Sequence, residues 1–451
     1  MESKKMHRRS FIAKTAVASV AGLVSGPLTV LSNTDAGKLA FLGGSAIRKN
    51  KVWPTWPYQD EKMVESLTAV MKSGKWCRID APASSQVAKF EKEFAPFIGI
   101  KHVVATGSGT QALSTVVHAL GIEAGDEVIT SPYTDMGTIS AILTSRALPI
   151  LADLDPESYQ LDPDDVERKI TSRTKAIMPV HMMGNAADMR RLMAIARKHK
   201  LLVIEDACQA HLAKFDNQAL GGIGDVGCFS FQSSKVMPCG EGGAVATNNE
   251  QLADRCYTVQ NHGTDRKGQN VTIGPKYRMN EFEASVLLPQ LLTHKQRHET
   301  RNKNATYLIS RLKSFRGITT QKLYPGTGDG SYYLFAMSYK KDYFDGLPRD
   351  TVIKALRAEG IPVGPYLPTG LHKHGWVDHI LGMKIYQKMY PAEALKNFKE
   401  WTANLPKCDQ VCSEMLLLPG SGPLTGTQAD MDDIVDALTK VHENRAKLKL
   451  A

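Results

Sequence analysis

The sequence of 451 residues has few of the features that mark specialised protein classes. Its seven cysteines are odd in number and form no CxxC pair, so neither a disulfide framework nor a zinc ribbon is indicated. The net charge of +10 is not gathered into a basic stripe with interleaved aromatic residues, which argues against nucleic-acid binding. There is no internal repeat and no low-complexity tract. The composition therefore indicates an ordinary globular chain, long enough for two domains.

The N-terminal stretch MESKKMHRRSFIAKTAVASVAGLVSGPLTV joins a basic head to a mildly apolar segment. The pair Arg8 and Arg9, followed by Ser-Phe, resembles a twin-arginine export signal. The apolar segment is interrupted by Lys14 and is too short to favour a membrane-spanning helix. We therefore expect residues 1–36 to be a signal segment that directs export to the periplasm and leaves no stable membrane anchor after processing. A basic amphipathic helix on a cytoplasmic protein is the alternative.

From about residue 100, short apolar runs alternate with segments of helical periodicity. The strand-like runs are HVVAT, EVITS, LPILAD, KAIMPV, LLVIED, GCFSF and GGAVAT, and GTQALSTVVHALG and DMRRLMAIARKHK have helical spacing. Apolar runs joined by helices predict an α/β fold in which helices flank a mainly parallel sheet. A long helix, expected to break near Pro289, leads into a smaller C-terminal α+β domain. The predicted domains are residues 37–305 and 306–451.

The turn GSGT follows the first of these strands, and open parallel sheets bind ligands beyond the carboxyl ends of their strands. Ser108, Gly109 and Thr110 stand where a helix begins. Free backbone N–H groups and the helix dipole attract an anion there, and glycine lets the backbone approach it. The pattern predicts a phosphate cradle. An ordinary strand-to-helix turn with a capping hydroxyl has the same pattern.

The strand LLVIED ends in Glu205 and Asp206, and Gln209 and His211 follow. A carboxylate at the end of a buried strand needs a cationic partner or a helix to cap. Asp206 is therefore a candidate to hold a protonated ring nitrogen, as in pyridine cofactors. Capping of a short helix is the alternative for Asp206, and a histidine such as His211 is more often structural.

One lysine, Lys235, lies in the stretch CFSFQSSKVMPCGEGG between a strand and a glycine-rich turn. A lysine that is partly desolvated at the carboxyl edge of a sheet can form a Schiff base with an aldehyde. Ser230, five residues earlier, is placed to face a phosphate. Taken alone, Lys235 also fits a solvated charge at a strand end.

In combination these motifs resemble the DegT/DnrJ/EryC1/StrS family of sugar aminotransferases, which use pyridoxal 5'-phosphate in a type I aminotransferase fold. The resemblance runs through SGTQAL, GDEVIT, TKAIMPVHMMGN, VIEDACQAH, GDVGCFSFQSSK and EGGAVATNNEQLADR to NHG and YRMNEFEA. It covers residues 45 to 300 continuously and the C-terminal part more loosely.

The resemblance implies a role for each matching residue. Lys235 falls on the family's Schiff-base lysine, Asp206 on the partner of the pyridine nitrogen, and Gln209 on the residue near the ring's oxygen edge. The histidine that the family keeps near the cofactor pocket is His181. The family's phosphate contacts fall on Ser108, Gly109, Thr110 and Ser230.

Two positions depart from the family pattern. Asp135 stands where an aromatic ring would normally stack on the pyridine, so either Tyr133 or Met136 covers the ring or Asp135 faces the substrate. Lys276 replaces an asparagine that would approach the phosphate from a second protomer. A lysine there still binds phosphate, as a point charge.

The function expected from this resemblance is a ping-pong transfer of an amino group from an amino acid to a keto or aldehyde sugar. Lys235 anchors the cofactor and moves a proton, and two protomers complete each other's sites in a homodimer. Two alternatives remain: a cofactor-binding regulatory or sensing protein without turnover, and another pyridoxal-phosphate reaction of lyase or aldolase type.

Overall fold

A central seven-stranded sheet organises residues 37–450, the part of the chain that this computed structural model describes. The strand order is β1-β9-β8-β5-β4-β2-β3. The strands are β1 (His102–Thr106), β2 (Glu127–Thr130), β3 (Leu148–Leu151), β4 (Thr174–Met178), β5 (Leu202–Asp206), β8 (Val226–Ser230) and β9 (Gly243–Thr247). A small hairpin of β6 (Lys214–Phe215) and β7 (Gln218–Ala219) lies between β5 and β8 in the chain.

The seven strand-like runs of the sequence all become strands of this sheet, so the predicted α/β fold is confirmed. Strands β3, β2, β4, β5 and β8 pair in parallel, and β9 runs antiparallel to both β8 and β1. Residues such as Val128, Ile204 and Cys228 are fully buried because helices cover both faces. In the pairing of β5 with β8, Asp206 lies opposite Cys228 near the carboxyl ends of both strands.

The helices begin and end at recognisable sequence signals. Ser108 caps α3, and Lys200 ends α6 in the left-handed conformation. The helices are α1 (Glu61–Ser73), α2 (Gln86–Ile98), α3 (Gly109–Ala119), α4 (Met136–Thr144), α5 (Pro163–Arg168), α6 (Met189–His199), α7 (Glu250–Gln260), α8 (Glu281–Leu312), α9 (Arg349–Ala358), α10 (Trp376–Gly382), α11 (Lys384–Met389), α12 (Ala392–Ala403), α13 (Pro406–Glu414), α14 (Gln428–Glu443) and α15 (Arg445–Leu448).

Helix α8 corrects one sequence expectation, because it continues through Pro289 instead of breaking there. Proline removes one backbone donor from the helical ladder. Leu287, Leu288 and Gln290 around it are buried, and α8 begins with a capping box of Asn280 and Glu283. Tertiary packing on both sides of the proline outweighs its local cost.

The C-terminal region forms a second sheet of β10 (Ile318–Thr320), β11 (Leu334–Tyr339) and β12 (Met415–Pro419), all antiparallel. Helices α9 and α14 share its apolar core with the end of α8 and with Leu39. Helices α10 to α12 pack instead on the core of the large sheet. The boundary near residue 305 stays a prediction, since α8 runs through that position.

The predicted signal segment, residues 1–36, lies outside the described residues. Across residues 37–450, every helix is too short or too polar to cross a membrane.

Candidate active site

A cavity of about 430 Å³ opens beyond the carboxyl ends of β5 and β8, where the starts of α3 and α4 meet them. This size lies within the range of small-molecule sites. The cavity brings together seven residues singled out in the sequence: Ser108, Gly109, Thr110, Asp135, Asp206, Ser230 and Lys235. Groups from separate segments therefore share one site, as the strand-end pattern predicts.

The predicted phosphate cradle is the N-terminus of α3. Ser108 Oγ accepts a hydrogen bond from the N–H of Gln111 at 3.1 Å, so the capping interpretation of this turn also holds. Among the described residues no acceptor faces the N–H groups of Gly109 and Thr110. A Cβ atom on Gly109 would lie 2.7 Å from Ser230 Cβ, so only glycine lets the two backbones close up here. The two free donors and the Ser230 hydroxyl suit a phosphate group.

Asp206 is almost fully buried at the end of β5, with 3% of its surface exposed. The hydroxyl of Thr138 donates to Oδ2 at 2.8 Å, and the N–H of Cys208 donates to Oδ1 at 3.2 Å. Thr138 in turn lies 2.8 Å from the hydroxyl of Thr134. These bonds fix the carboxylate and leave lone pairs free toward the cavity, where a cationic N–H donor can meet them.

Lys235 lies in the tight turn after β8 and is half-buried. Its own N–H donates to the Gln232 carbonyl at 2.8 Å, which holds the turn. The ammonium group stands 4.3 Å from the ring centroid of Tyr333, and the Tyr333 hydroxyl lies 2.7 Å from Ser234 Oγ. The ammonium group of Lys235 is therefore held beside an aromatic ring and does not extend into solvent.

Gln209 and His211 lie outside the cavity lining. Gln209 Oε1 accepts from the N–H of Met183 at 2.8 Å, while Gln209 Nε2 lies 3.4 Å from the Tyr366 hydroxyl, which does line the cavity. The ring of His211 is buried and packs against Phe229 with centroids 5.4 Å apart. Gln209 thus reaches the site through Tyr366, and His211 has a structural setting.

His181 is fully buried and does not line the cavity. Its ring forms a hydrogen bond with Glu205. His181 Nδ1 accepts the N–H of Ala187 at 3.2 Å, so Nε2 carries the proton that is donated to Glu205 at 2.9 Å. Glu205 also accepts backbone N–H groups of the turn after β7, including that of Gly221 at 2.8 Å. In this chain the expected cofactor histidine therefore supports the loop behind the site.

The two departures from the family pattern are placed differently. Asp135 lines the cavity, is exposed, and caps α4 by accepting the N–H of Gly137 at 2.8 Å. Neither Tyr133 nor Met136 lines the cavity, so of the three readings the geometry favours an Asp135 that faces the ligand. Lys276 is exposed and does not line the cavity of its own chain.

Sequence reasoning missed Thr138 and the two tyrosines of the cavity, Tyr333 and Tyr366. Burial raises the pKa of the Tyr366 phenol well above its usual range, so this hydroxyl is a neutral donor. The two tyrosines come from the C-terminal region, where no strand-end rule points to the cavity. For Tyr333 the available signal was the pair of aromatic residues in SYYLFAMSY, and Tyr366, in VGPYLPTG, had none.

Comparison with known proteins gives one family. The family model described as the DegT/DnrJ/EryC1/StrS aminotransferase family matches residues 57–439. An L-glutamine:2-deoxy-scyllo-inosose aminotransferase of Streptoalloteichus tenebrarius is 33% identical over 437 residues, which cover 91% of this chain and 99% of the relative. A protein of the same description from Streptomyces paromomycinus is also 33% identical, and the match covers 91% of this chain and 99% of that relative.

Solved structures show the same fold. The crystal structure of 3-amino-5-hydroxybenzoic acid synthase superposes with a TM-score of 0.74 at 27% identity, covering 86% of this chain and 99% of that one. NtdA from Bacillus subtilis with bound cofactor PMP superposes with a TM-score of 0.70 at 27% identity. The superposition covers 85% of this chain and 82% of NtdA. The predicted type I aminotransferase-like fold is therefore confirmed.

Proposed function

Because this chain belongs to the DegT/DnrJ/EryC1/StrS aminotransferase family and is a pyridoxal-phosphate-dependent aminotransferase, we propose that it aminates the carbonyl carbon of a keto-sugar or keto-cyclitol. The donor is an amino acid. Glutamine is the first candidate, since the inosose aminotransferases named above use it by description.

The observation that carries this proposal is the convergence of three groups in one cavity. Lys235 supplies an amine, Asp206 a buried carboxylate, and the turn of Gly109 and Thr110 two free N–H donors. These groups match the aldehyde, the ring nitrogen and the phosphate of pyridoxal 5'-phosphate, and Gly109 leaves room where a Cβ atom would collide with Ser230. The residues present therefore fit the cofactor.

When bound, pyridoxal phosphate supplies an aldehyde that carries the amino group and a ring that delocalises carbanion charge. The Lys235 amine is the group of this chain that would hold the aldehyde, and the same amine would serve as the base for the proton on the donor's α-carbon. The Tyr333 ring, 4.3 Å from the Lys235 ammonium group, would hold the protonated form of this side chain in the cavity.

Asp206 would keep a proton on the ring nitrogen, because its carboxylate is buried and can accept one more strong hydrogen bond. Thr138 fixes the orientation of this carboxylate through its 2.8 Å hydrogen bond. Ser230, Gly109 and Thr110 hold the phosphate, and Asp135 at the cavity mouth accepts hydrogen bonds from substrate hydroxyl or amino groups.

The experiment that tests this proposal separates the two half-reactions. The protein loaded with pyridoxal phosphate is mixed with glutamine and other amino acids, and loss of the aldehyde absorbance together with keto-acid release is followed. The aminated protein is then offered keto-sugars and keto-cyclitols, with and without a nucleotide group. We expect the aldehyde absorbance to return only with a polyhydroxylated ketone or aldehyde.

Two other results would contradict the proposal. Binding of amines without keto-acid release would indicate a sensing protein. Product formation from a single substrate, with no need for a second carbonyl compound, would indicate a lyase or aldolase.

We also propose that the protein works as a homodimer in which Lys276 acts on the partner's site. The helix α1 exposes an apolar strip of Val64, Leu67 and Met71, and the loop before Lys276 exposes Ile273 to 95%. Such surfaces on a soluble chain mark interaction sites. Analytical ultracentrifugation should give twice the mass of the chain.

A mixing experiment tests the shared site directly. Lys235→Ala and Lys276→Ala chains are mixed under conditions that exchange subunits. If Lys276 acts in trans, a mixed dimer contains one intact site and activity reappears. If mixing restores no activity while both variants remain dimeric, Lys276 has no role in the partner's site.

Export is proposed from residues 1–36, which follow the twin-arginine pattern. Replacing Arg8 and Arg9 by lysine should keep the mature chain in the cytoplasm, as measured by cell fractionation. The lysine pair preserves the basic charge, so a merely amphipathic basic helix would be unaffected by it.

A further inference from the structure

Helix α8 directs a row of basic and imidazole side chains into the protein interior, away from the cavity described above. His294, His298 and Arg301 follow one another at intervals of four and three residues, so they share one helix face. Their exposed fractions are 0%, 6% and 0%. This face is therefore buried even though it carries a full guanidinium group.

Arg301 has a single hydrogen bond, from Nε to the Ser331 carbonyl at 3.0 Å. Its Nη1 and Nη2 atoms are buried and meet no acceptor in residues 37–450, and no described carboxylate forms a salt bridge with it. A guanidinium has five N–H donors. Leaving most of them without acceptors in the interior is strongly unfavourable unless something else neutralises the charge.

The two histidines add donors to the same buried space. Both ring nitrogens of His294 and Nδ1 of His298 are buried without partners in the described chain. The other nitrogen of His298, Nε2, lies 3.3 Å from Asn302 Nδ2. Since an amide N–H can only donate, His298 Nε2 is the acceptor and Nδ1 carries the proton. His298 thus presents a free N–H to the cluster.

The net charge of this group is one positive unit at neutral pH. Burial lowers the pKa of Arg301 to about 9, which leaves the guanidinium charged. Burial lowers the pKa of His298 to about 3 and that of His294 well below its ordinary value, so both rings are neutral. The neighbouring Arg297 guanidinium is partly exposed and lies 3.9 Å from the Tyr58 ring centroid, so it is not part of the fully buried group. Within that group, one guanidinium and two neutral rings require one negative charge for balance.

A second cavity, of about 740 Å³, reaches one member of the cluster, His298. His298 lines it together with Lys214 and Lys295, and Glu299 and Asp329 lie on its wall as well. The hairpin of β6 and β7 forms its opposite side. A small ion can therefore reach His298 without opening the fold.

We propose that Arg301, His294 and His298 form a buried binding site for a monovalent inorganic anion, with chloride as the natural occupant. The donors match an anion, because each member can present an N–H group and none carries a carboxylate. A metal ion does not fit: the described residues contain no group of three ligands suited to one. A neutral water would satisfy some of the hydrogen bonds but would leave the guanidinium charge unbalanced.

The direct test is crystallography of the cofactor-loaded protein grown in sodium bromide instead of sodium chloride. Bromide is detected by its anomalous scattering. We expect one ordered bromide per chain within hydrogen-bonding distance of the Arg301 guanidinium. Ordered water at that position, with no anomalous signal, would overturn the proposal.

A solution test uses thermal unfolding at constant ionic strength while gluconate replaces chloride, so that general screening is unchanged. Because an anion that binds only the folded state stabilises it, we expect the wild-type midpoint to fall by about 2–4 °C in gluconate. Arg301→Met should abolish this difference, whereas Arg301→Lys should keep part of it. Arg311→Met, on the exposed part of the same helix, should respond to chloride like the wild type.

Equal midpoints in chloride and gluconate for the wild type would overturn the proposal, and so would an Arg301→Met variant that keeps the full chloride response. If Arg301→Met does not fold, the bromide signal in the wild type decides the question.

Discussion

The two walls of the active-site cavity are built in different ways. One wall is the edge of the central sheet: Asp206 ends β5, Ser230 ends β8, and Gly109 begins the helix after β1. The other wall consists of Tyr333 and Tyr366, which come from the C-terminal region. At the sheet edge, the ends of strands and the start of a helix fix the positions of the charged and polar groups. The two tyrosines lie beside these groups and orient them.

This contrast suggests that the two walls contribute differently to the reaction. The sheet edge supplies the amine, the carboxylate and the phosphate donors. The tyrosine wall contributes a ring near Lys235 and a hydroxyl near Gln209. Substitutions in the first wall should therefore remove the chemistry, and substitutions in the second should reduce it.

The largest effect is expected from Lys235→Ala. Loss of both the covalent anchor and the proton carrier should lower turnover by at least about 10²–10⁴-fold. Borohydride treatment should no longer fix cofactor to the chain, as measured by mass spectrometry of the intact protein. Lys235→Arg is the matched control, since it keeps the charge near Tyr333 but cannot form the bond. Full activity in either variant would exclude Lys235 from the chemistry.

Asp206→Asn should give the next largest loss. The amide cannot balance a positive charge on the ring nitrogen, and removal of such an electrostatic contact costs about 10²–10³-fold in kcat. Single-turnover measurements with glutamine would show it. Thr138→Val is a graded control: it removes one hydrogen bond to Asp206, worth about 1 kcal/mol, and should lower the rate by up to about tenfold. An unchanged rate in Asp206→Asn would contradict the assignment.

Gly109→Ala should weaken cofactor binding more than turnover of the loaded protein. The added methyl group would lie 2.7 Å from Ser230 Cβ, and relief of such crowding costs about 1–3 kcal/mol, or roughly 5- to 150-fold in affinity. Fluorescence titration with pyridoxal phosphate measures the change. Gly382→Ala, where the added Cβ atom has no neighbour within 4 Å, should bind the cofactor like the wild type.

The smallest effects are expected from Tyr333→Phe and Tyr366→Phe. Each variant keeps the ring and removes one hydroxyl, which takes from Tyr333 its 2.7 Å contact with Ser234. A single hydrogen bond of about 1 kcal/mol corresponds to a loss of at most about tenfold in kcat/KM. If either variant were as inactive as Lys235→Ala, the tyrosine wall would have to supply chemistry, and the contrast between the walls would fail.

The sheet wall was predictable because its residues follow strands whose apolar runs are visible in the sequence. The seven runs become the seven strands, and the carboxyl ends of β5 and β8 meet where Asp206 and Lys235 lie. The continuation of α8 through Pro289 was not predictable, since the local preference of proline opposes it and only buried contacts on both sides compensate. The hydrogen bond between His181 and Glu205 was not predicted, because it joins residues that are 24 positions apart and no local pattern links them.

By itself, the sequence determined the α/β order, the sheet edge at which ligands bind and the identity of Lys235, Asp206 and the GSGT turn as candidates. These features depend on local periodicity and on backbone groups near each residue. Only the tertiary structure decided that Tyr333 and Tyr366 close the cavity, that Asp135 faces it, and that Arg301 is buried with no carboxylate of residues 37–450 paired to it. Those outcomes depend on contacts between segments that lie far apart in the chain, and no local pattern encodes which segments meet.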